Sequence, residues 1–336
     1  MTKQILYLGN KLSNNNQNVS TVESLSEQLS QLSYDVKSYS NQSNKILRLL
    51  SMLWAILKYR RVDYILIYNY SKTSFLFSWS SAEFAKILNK KYILMLHGGD
   101  LPKRLKRNPK ICKSLFSKAY INITPSKYLY KIFTESGFSN IKIIPNTIHL
   151  KNYTFKERSK LKPKLLWVRA FADIYNPILA LKVLKLLLND YPDAELSMVG
   201  PFKDESIEAC RIYAKKHQLP VKFTGKMSKT EWIDYAKEFD VFINTTNVDN
   251  TPVSVIEAMA LGLPIVTTNV GGLPYLLNNE EQALLVKPDD EKVMVKAIIS
   301  LLQNHNLAKK LSQNGRELAE TFDWEIVKEQ WQKVLK

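Results

Sequence analysis

The chain has 336 residues, 45% of them hydrophobic and 24% charged, and its formal net charge at pH 7 is +17. This composition is that of a globular protein long enough for two domains with full cores, and it excludes a disordered or fibrous chain. The longest nearly apolar stretch, residues 49–57 (LLSMLWAIL), is too short to span a bilayer.

The chain starts MTKQILYLGN, which leads directly into a predicted strand without the apolar core of a signal peptide. The two cysteines, Cys112 and Cys210, are far apart and match no metal-binding or redox spacing. We therefore expect free thiols in a reducing cytosol. The expected location is cytoplasmic, either free or peripheral on the inner face of the cytoplasmic membrane.

The net charge is divided unevenly along the chain. Residues 1–163 hold 27 basic and 8 acidic residues, whereas residues 164–336 hold 21 and 23. The excess is densest in residues 101–134, where nine basic residues occur without any acidic one. Such a one-sided field indicates an anionic partner, which from charge alone is a nucleic acid, an anionic lipid or a phosphorylated substrate. A solvated surface of a lysine-rich protein is the alternative.

Strand-like runs alternate with amphipathic stretches throughout the chain. The first series of predicted strands is 4–8, 34–37, 64–68, 92–96, 120–123 and 141–144. After the basic, polar segment 151–163, the second series is 164–168, 195–199, 221–223, 241–244, 264–267 and 283–286. Two such series predict an α/β protein with two doubly wound parallel sheets. We expect a first domain in residues 1–155, a second in 156–320, and a C-terminal helix in 321–336 that packs back on the first domain.

Glycines mark the carboxyl ends of the predicted strands. Seven of the ten follow a strand and precede a helical stretch: Gly9, Gly98, Gly99, Gly200, Gly225, Gly271 and Gly272. In open α/β sheets, ligands bind beyond the carboxyl ends of the strands, where glycine lets the backbone approach them. Both domains are therefore predicted to carry a ligand-binding edge, with a single ligand held in the cleft between them.

A charged residue interrupts the most apolar predicted helix. Residues 253–260 read VSVIEAMA, with Thr251-Pro252 predicted as N-cap and first helical residue, and Gly262 predicted to end the helix. Because a buried carboxylate is costly unless it is compensated, Glu257 needs a partner. Two interpretations stay open. Glu257 accepts hydrogen bonds from the hydroxyls of a ligand whose phosphate lies at the helix N-terminus, or it pairs with a buried lysine or caps a neighbouring helix.

Several catalytic signatures are absent from the sequence. No G-x-G-x-x-G follows the first predicted strand, and Thr224-Gly225-Lys226-Met227 is an incomplete P-loop. No D-x-D pair or histidine cluster offers a metal site, and no serine lies in a G-x-S-x-G elbow. Hydride transfer, ATP hydrolysis and serine hydrolysis therefore lose support. Nucleic acid is not an expected partner, because no recognised binding module accompanies the charge.

The region around Glu257 resembles the donor-binding signature of family 4 glycosyltransferases, which are retaining enzymes of the GT-B fold with two Rossmann-like domains facing across a cleft. That signature has two acidic residues separated by seven, here Asp249 and Glu257 in DNTPVSVIEAMALGLPI. Further matching pieces occur in the expected order along nearly the whole chain. They are His97-Gly98, Pro125-Ser126, Ile144-Pro145-Asn146, Trp167-Val168-Arg169, 195–200 (ELSMVG), 221–225 (VKFTG), 267–274 (TTNVGGLP) and 283–288 (ALLVKP).

The resemblance implies a site for a nucleoside-diphosphate sugar in the second domain. It implies that Glu257 accepts hydrogen bonds from the ribose, that Asp249 contacts the donor sugar and that Arg169 pairs with the diphosphate. A histidine in the first domain, His97, would approach the donor sugar, so these four residues are the implied catalytic set. The implied donor-binding residues are Arg169, Gly200, Lys226, Met227, Thr251, Val253, Ser254 and Glu257. The implied acceptor-side residues are Gly9, Asn10, Lys11, Gly98 and Gly99.

The implied reaction is that of a retaining hexosyltransferase, which moves a sugar from the nucleotide to a polysaccharide or a lipid-diphosphate-linked saccharide. Neither a metal nor another cofactor is implied, because Arg169 and the helix N-terminus would stabilise the leaving diphosphate. The basic run of residues 103–131, together with segment 45–61 (KILRLLSMLWAILKYRR), is a candidate surface for holding the first domain against an anionic membrane. Alternatively, segment 45–61 is an ordinary core helix with a cationic end. A sugar-nucleotide epimerase of the same fold and a non-catalytic partner subunit are the alternative functions.

Three positions depart from the pattern of the family. Tyr175-Asn176 stands where a lysine and a glycine usually follow the arginine, so one cation for the diphosphate is missing and the Tyr175 hydroxyl is a candidate replacement. Asp249 replaces the usual glutamate and is shorter by one methylene group. Gly9-Asn10 replaces a pair of glycines after the first strand, which leaves the acceptor contacts there open.

Overall fold

The computed structural model describes residues 2–9, 21–69, 74–158 and 160–336. The chain divides into two compact units, Met1–Ile144 with Leu335–Lys336, and Pro145–Val334. Within the described residues each unit contains a six-stranded sheet, and every strand pairing in the two sheets is parallel. The predicted α/β class with two doubly wound parallel sheets is therefore confirmed.

The first unit connects its parallel strands through helices. The strands are β1 Gln4–Leu8, β2 Asp35–Tyr39, β3 Tyr64–Asn69, β4 Tyr92–Leu96, β5 Ile121–Thr124 and β6 Ile141–Ile143. The helices are α1 Thr21–Gln31, α2 Lys45–Lys58, α3 Ser74–Ile87, α4 Leu101–Arg107, α5 Pro109–Ser117 and α6 Lys127–Glu135. The spatial order β2-β1-β3-β4-β5-β6 changes direction between β1 and β3, so a ligand is expected beyond the carboxyl ends of these two strands.

The second unit also connects its parallel strands through helices, and the spatial order of its strands is β12-β11-β10-β7-β8-β9. Its strands are β7 Lys164–Val168, β8 Glu195–Val199, β9 Val221–Gly225, β10 Val241–Asn244, β11 Ile265–Thr268 and β12 Ala283–Val286. Its helices are α7 Pro177–Leu187, α8 Ser206–Lys216, α9 Lys229–Tyr235, α10 Val253–Ala260, α11 Leu273–Leu276, α12 Glu291–Gln303, α13 His305–Glu320 and α14 Trp324–Val334. The order changes direction between β7 and β10.

Successive side chains of the central strand β7 point to opposite faces of the second sheet. Leu165 and Trp167 belong to an apolar cluster that includes residues of α7 and α12, whereas Leu166 belongs to a cluster that includes residues of α10. Both faces of the sheet are thus covered by helices, as a parallel sheet requires.

The chain passes from the first unit to the second between residues 144 and 145, whereas the expected boundary lies between residues 155 and 156. Ile148 and Tyr153 are buried in the apolar cluster of the second unit that includes α10. The backbone amide of Ile148 also donates to the carbonyl of Phe322 at 3.0 Å. Residues 145–155, which were expected in the first domain, are therefore part of the second unit, because their apolar side chains Ile148 and Tyr153 are buried there.

Both cysteines are buried free thiols, as their spacing predicts. Burial raises the pKa of Cys112 to about 11 and that of Cys210 to about 12. Both thiols therefore stay protonated near neutral pH and pack as small apolar side chains.

The buried residue Arg158 ties the start of the second unit to its core. Its guanidinium donates to the carbonyl of Phe239 at 3.1 Å and to that of Leu261 at 2.6 Å, and it lies 3.7 Å from the Asp240 carboxylate. Burial lowers the pKa of Arg158 to about 10, against the opposing effect of Asp240. The guanidinium remains charged near neutral pH and satisfies two carbonyls that the fold removes from water.

We predict that Arg158→Met destabilises the second unit. The substitution keeps an unbranched side chain but removes the guanidinium that donates to the buried carbonyls of Phe239 and Leu261, so the free energy of unfolding should fall by about 2–3 kcal/mol in urea unfolding experiments. The matched control Arg211→Met removes an exposed arginine that pairs with Glu208. That control should change the unfolding free energy by less than about 0.5 kcal/mol, and equal losses in the two variants would contradict the role of Arg158.

Candidate active site

The candidate site lies at the carboxyl edge of the second sheet, between β7 and β10 where the strand order changes direction. Ligands of open α/β sheets bind at such a point. Arg169 directly follows β7, and the loop of residues 245–252 follows β10. The hydroxyl of Thr245 joins the two strand ends, because it accepts from Trp167 Nε1 at 3.0 Å and donates to the Tyr175 carbonyl at 2.9 Å.

Arg169 and Asp249 form an ion pair at this edge. The guanidinium of Arg169 also lies 4.4 Å from the centre of the Tyr175 ring. Burial lowers the pKa of Arg169 and the neighbouring Tyr175 opposes that shift, but an arginine remains charged. Among the described residues, the buried Nε of Arg169 has no hydrogen-bond acceptor. The guanidinium therefore keeps donor capacity for an oxygen of a ligand.

The two residues that replace the expected lysine and glycine make contacts of their own. Tyr175 contacts Arg169 through its ring. Asn176 has a left-handed backbone, with φ of 47°, and its amide donates to Asp289 at 2.6 Å. No cation takes the place of the missing lysine at these two positions. Within the described part of the chain, no group of three or more His, Cys, Asp or Glu side chains could hold a metal ion.

Helix α10 begins one residue later than the sequence predicts. Pro252 is the N-cap, with an extended backbone (φ −70°, ψ 115°), and Val253 is the first helical residue, so Thr251 precedes the cap. The amides of Val253 and Ser254 lie in the first turn, where a helix offers them no acceptor. Ser254 Oγ is buried and has no hydrogen-bond partner among the described residues. The N-terminus of α10 thus presents unused donors, as an anion site does.

Glycines set the backbone on both sides of the ion pair. Gly272 donates its amide to the Asp249 carbonyl at 3.0 Å, and a Cβ on Gly272 would lie 1.8 Å from the Asn250 carbonyl oxygen. A Cβ on Gly200 would lie 1.7 Å from the carbonyl oxygen of Arg169. Any larger residue would push these segments apart. Gly200, predicted as part of the donor site, therefore positions the backbone of Arg169.

Glu257 is buried and paired within the second unit. It accepts a hydrogen bond from the Tyr153 hydroxyl at 2.8 Å and forms an ion pair with the exposed Lys229. Burial, followed by the charge of Glu257, raises the pKa of Tyr153, so the hydroxyl stays protonated and remains a donor. Of the two interpretations of this carboxylate, the structure shows the pairing with a lysine, although this lysine is exposed rather than buried.

The sequence prediction missed Tyr153 and Lys229. Lys229 is the first residue of α9, which starts with a capping box in which Ser228 and Glu231 bond each other's backbone amides. The S-x-x-E pattern at 228–231 is a recognised helix start and could have placed Lys229 at this terminus. No local pattern marks Tyr153, because it lies 104 residues from Glu257 in the chain.

Lys226 and Met227, which were predicted to lie beside the base, directly follow β9. Lys226 is exposed, and Met227 is half-buried against the apolar cluster that includes α10. Neither residue has a described contact with Glu257 or Arg169. Their role in binding a base stays a prediction.

The first unit has a polar edge of its own at the carboxyl ends of β1, β3 and β4. The His97 ring stacks on Tyr68, with ring centres 4.6 Å apart, and the His97 amide donates to the Asn69 carbonyl at 3.2 Å. A Cβ on Gly9 would lie 2.8 Å from Tyr68 Cβ. The predicted residues Gly9 and His97 therefore contact the same tyrosine.

Two side chains on this edge have unmet hydrogen-bonding capacity. Among the described residues, both amide atoms of Asn69 and Nε2 of His97 are buried without partners. Burial lowers the pKa of His97 to about 4, so the imidazole is neutral near pH 7. Asn69 was missed by the sequence prediction, although a polar residue at the carboxyl end of an apolar strand is a recognisable signal.

The remaining residues of the predicted acceptor side are only partly described. Gly98 and Gly99 lie between β4 and α4, and the Gly98 carbonyl accepts from the Leu101 amide at 3.1 Å. Asn10 and Lys11 lie outside the described residues. The acceptor role of all these residues stays a prediction.

The sequence matches a known family and known proteins over part of its length. A model of the family described as glycosyl transferases group 1 matches residues 151–318, half of the chain. An uncharacterized glycosyltransferase of Haemophilus influenzae is 29% identical over 194 residues, which are 57% of this chain and 53% of that protein. Sulfoquinovosyl transferase SQD2 of Arabidopsis thaliana is 27% identical over 150 residues, 43% of this chain and 28% of that protein. The chain thus spans about half, or less, of the length of these curated relatives.

Solved structures match over nearly the whole chain. Sucrose-phosphate synthase from Thermosynechococcus elongatus superposes with a TM-score of 0.81 at 18% identity, covering 99% of this chain and 98% of that one. Anabaena HepE in complex with UDP and glucose superposes with a TM-score of 0.78 at 16% identity, covering 98% of each chain. These likenesses confirm the predicted fold.

We predict that His97 makes the first unit sensitive to acid. Its pKa is about 4 in the folded protein against 6.5 for an ordinary histidine, so the unfolded chain binds more protons between these values. The stability that the neutral ring contributes is present above pH 6.5 and is lost as the pH falls toward 4. The loss should amount to about 2 kcal/mol, measured by urea unfolding across this pH range.

The variant His97→Asn should lack this pH dependence. The control His305→Asn removes an exposed histidine at the start of α13 and should retain it. A pH dependence of unfolding in His97→Asn as steep as that of the wild type would contradict the assignment to His97.

Proposed function

Because the chain belongs to the family of group 1 glycosyl transferases, we propose that it transfers a sugar from a nucleoside-diphosphate sugar to a saccharide acceptor. The observation that carries this proposal is the convergence of Arg169, the N-terminus of α10 and Glu257 at one edge of the second sheet. Anabaena HepE, which shares the fold, has been solved with UDP-glucose, and this supports a nucleotide-sugar donor.

The diphosphate would bind to the unused donors of this edge. Arg169 Nε and Ser254 Oγ are buried without partners among the described residues. The amides of Val253 and Ser254 add two donors and the positive end of the helix dipole. An arriving diphosphate competes with Asp249 for the guanidinium, and charge-assisted hydrogen bonds to its oxygens would replace the ion pair.

The ribose would bind to Glu257. An ionised carboxylate accepts more hydrogen bonds than those that Tyr153 and Lys229 provide. Because Lys229 is exposed, its ammonium can turn to solvent when ribose hydroxyls approach. The buried Tyr153 hydroxyl keeps the carboxylate in place during that exchange.

The chemistry that we propose is a displacement at the anomeric carbon of the donor sugar. The bond from that carbon to the diphosphate oxygen breaks, and its electron pair leaves with the diphosphate. The acceptor hydroxyl attacks the same carbon from the face that the diphosphate leaves, forms the new bond there and passes its proton to a diphosphate oxygen. The transition state resembles an oxocarbenium ion, and Arg169 with the N-terminus of α10 would stabilise the charge that develops on the leaving group. We propose that this reaction needs no metal and retains the anomeric configuration.

The acceptor that we propose is a polysaccharide or a lipid-linked saccharide bound by the first unit. Its polar edge holds Asn69 and His97, whose buried polar atoms lack partners among the described residues. Sugar hydroxyls both donate and accept, so they suit a side-chain amide and a neutral imidazole.

We predict that Glu257→Gln weakens the binding of a ribonucleoside diphosphate by about tenfold, because an amide oxygen accepts less strongly than a carboxylate. Isothermal titration calorimetry with a panel of nucleoside diphosphates measures this effect. Binding of the matching 2′,3′-dideoxynucleoside diphosphate should be equally weak in wild type and variant. The control Glu317→Gln, at an exposed position of α13, should bind as the wild type does. If Glu257→Gln weakened the binding of both nucleotides equally, Glu257 would not be the residue that binds the ribose.

We predict that Arg169→Met lowers kcat/KM for sugar transfer by about 100-fold, the usual effect of removing a group that stabilises transition-state charge. The exposed-arginine control Arg211→Met should leave kcat/KM unchanged. Turnover is measured with the full chain, a nucleotide sugar that the binding panel identifies, and saccharide or lipid-linked acceptors. The product should carry the anomeric configuration of the donor by NMR, and EDTA should not change the rate.

Two outcomes of the same assay would contradict the proposal. An epimerised nucleotide sugar formed from the donor alone would favour the epimerase. Tight nucleotide binding through Glu257 without transfer to any acceptor would favour a non-catalytic subunit.

A further inference from the structure

Helix α2 presents an apolar face to solvent. Five large side chains are 52–71% exposed, which are Ile46, Leu47, Leu50, Trp54 and Leu57. Their spacing of roughly three and four residues places them on one side of the helix. Scattered exposed apolar residues are ordinary on a protein surface, but a contiguous group indicates a binding surface. We call these five residues the α2 face.

The opposite side of α2 fixes the helix to the first unit. Met52, Ala55 and Ile56 are buried in the apolar core. The side chain of Asn44 caps the N-terminus, because its oxygen accepts from the amides of Ile46 and Leu47 at 2.9 and 3.2 Å. The helix is therefore anchored and capped while the α2 face stays exposed. An ordinary core helix, which is the alternative expected from the sequence, would explain the buried side of α2 but not its exposed apolar side.

The charged residues of α2 and of the segments that flank it in the chain are all basic. The sequence has no acidic residue between Asp35 and Asp63. Around the helix, the exposed basic residues are Lys45, Lys58, Arg60 and Arg61. The Lys58 ammonium lies 4.6 Å from the centre of a Trp54 ring, so its alkyl chain lies beside the apolar face while its charge stays at the rim.

An anionic lipid surface matches both the exposed apolar face of α2 and the basic residues beside it. Helices that lie in a membrane interface bury an apolar face among the acyl chains and set lysine and arginine against the headgroups. Tryptophan is enriched at this depth, where one side of the ring is apolar and the other polar. A second copy of this chain fits less well, because a symmetric pairing of α2 faces would bring the same four cations together.

We propose that the α2 face binds an anionic lipid bilayer, with α2 lying in the plane of the interface. The contact is peripheral: in the part of the chain that the structure describes, no helix is long and apolar enough to cross a membrane. The apolar side chains insert among the acyl chains. The preference for anionic headgroups comes from the basic residues Lys45, Lys58, Arg60 and Arg61.

Vesicle co-sedimentation of the full chain tests the proposal. The wild type should bind vesicles of phosphatidylcholine mixed with phosphatidylglycerol at least about tenfold more strongly than vesicles of phosphatidylcholine alone. Binding to the mixed vesicles should weaken as the salt concentration rises. Blue-shifted fluorescence that Trp54→Phe abolishes would show that this one of the six tryptophans enters the bilayer.

Paired variants separate the two parts of the surface. Leu50→Gln/Trp54→Gln should lose binding to both kinds of vesicle, whereas Arg60→Gln/Arg61→Gln should lose about tenfold or more in binding to the mixed vesicles only. The control Ile212→Gln changes an exposed apolar residue of α8 in the second unit and should bind as the wild type does. Circular dichroism and the urea midpoint show that each variant is folded.

Three results would overturn the proposal. The first is equal binding of the wild type to both kinds of vesicle. The second is absence of binding to either. The third is a dimer in light scattering that Leu50→Gln/Trp54→Gln dissociates, which would assign the α2 face to a second copy of the chain.

Discussion

The second unit is organised around one buried carboxylate. Glu257 lies in the middle of the apolar helix α10, where an uncompensated charge would cost several kcal/mol. Compensation comes from Tyr153, which precedes β7, and from Lys229, which follows β9. One charge thus ties three distant segments of the chain together. Because these contacts hold a residue of α10, they also help to position that helix and its first-turn amides at the edge of the sheet.

Several polar groups at the edges of the two sheets are buried and have no hydrogen-bond partner among the residues that the structure describes. They are Arg169 Nε and Ser254 Oγ in the second unit, and the Asn69 amide and His97 Nε2 in the first. Buried donors and acceptors without partners lower stability, and natural proteins keep few of them. They are concentrated here beyond the carboxyl ends of parallel strands, where the topology also favours a ligand. A ligand that supplied the missing partners would therefore stabilise the protein.

Much of the fold could be predicted from the sequence, because buried parallel strands are short apolar runs between turn residues. Strands β4 and β7 have the predicted boundaries. Asp249 and Glu257 could be selected as candidates because their spacing is local, and their roles stay predictions. Tyr153 could not be selected, because its contact with Glu257 depends on tertiary packing. The exposure of the α2 face was equally unpredictable. A helix with apolar residues on most of its surface does not reveal which side the core covers.

The left-handed backbone of Asn176 keeps the conformation that suits the glycine of the family at this position. Asparagine is one of the few other residues that tolerate it. The lysine of the family corresponds to Tyr175, whose ring lies against the Arg169 guanidinium. A single substitution, Tyr175→Lys, would therefore restore the second cation and leave the left-handed residue in place. The same change would replace an aromatic ring beside Arg169 with a second positive charge, so a gain in charge toward an anion would come with repulsion between two neighbouring cations.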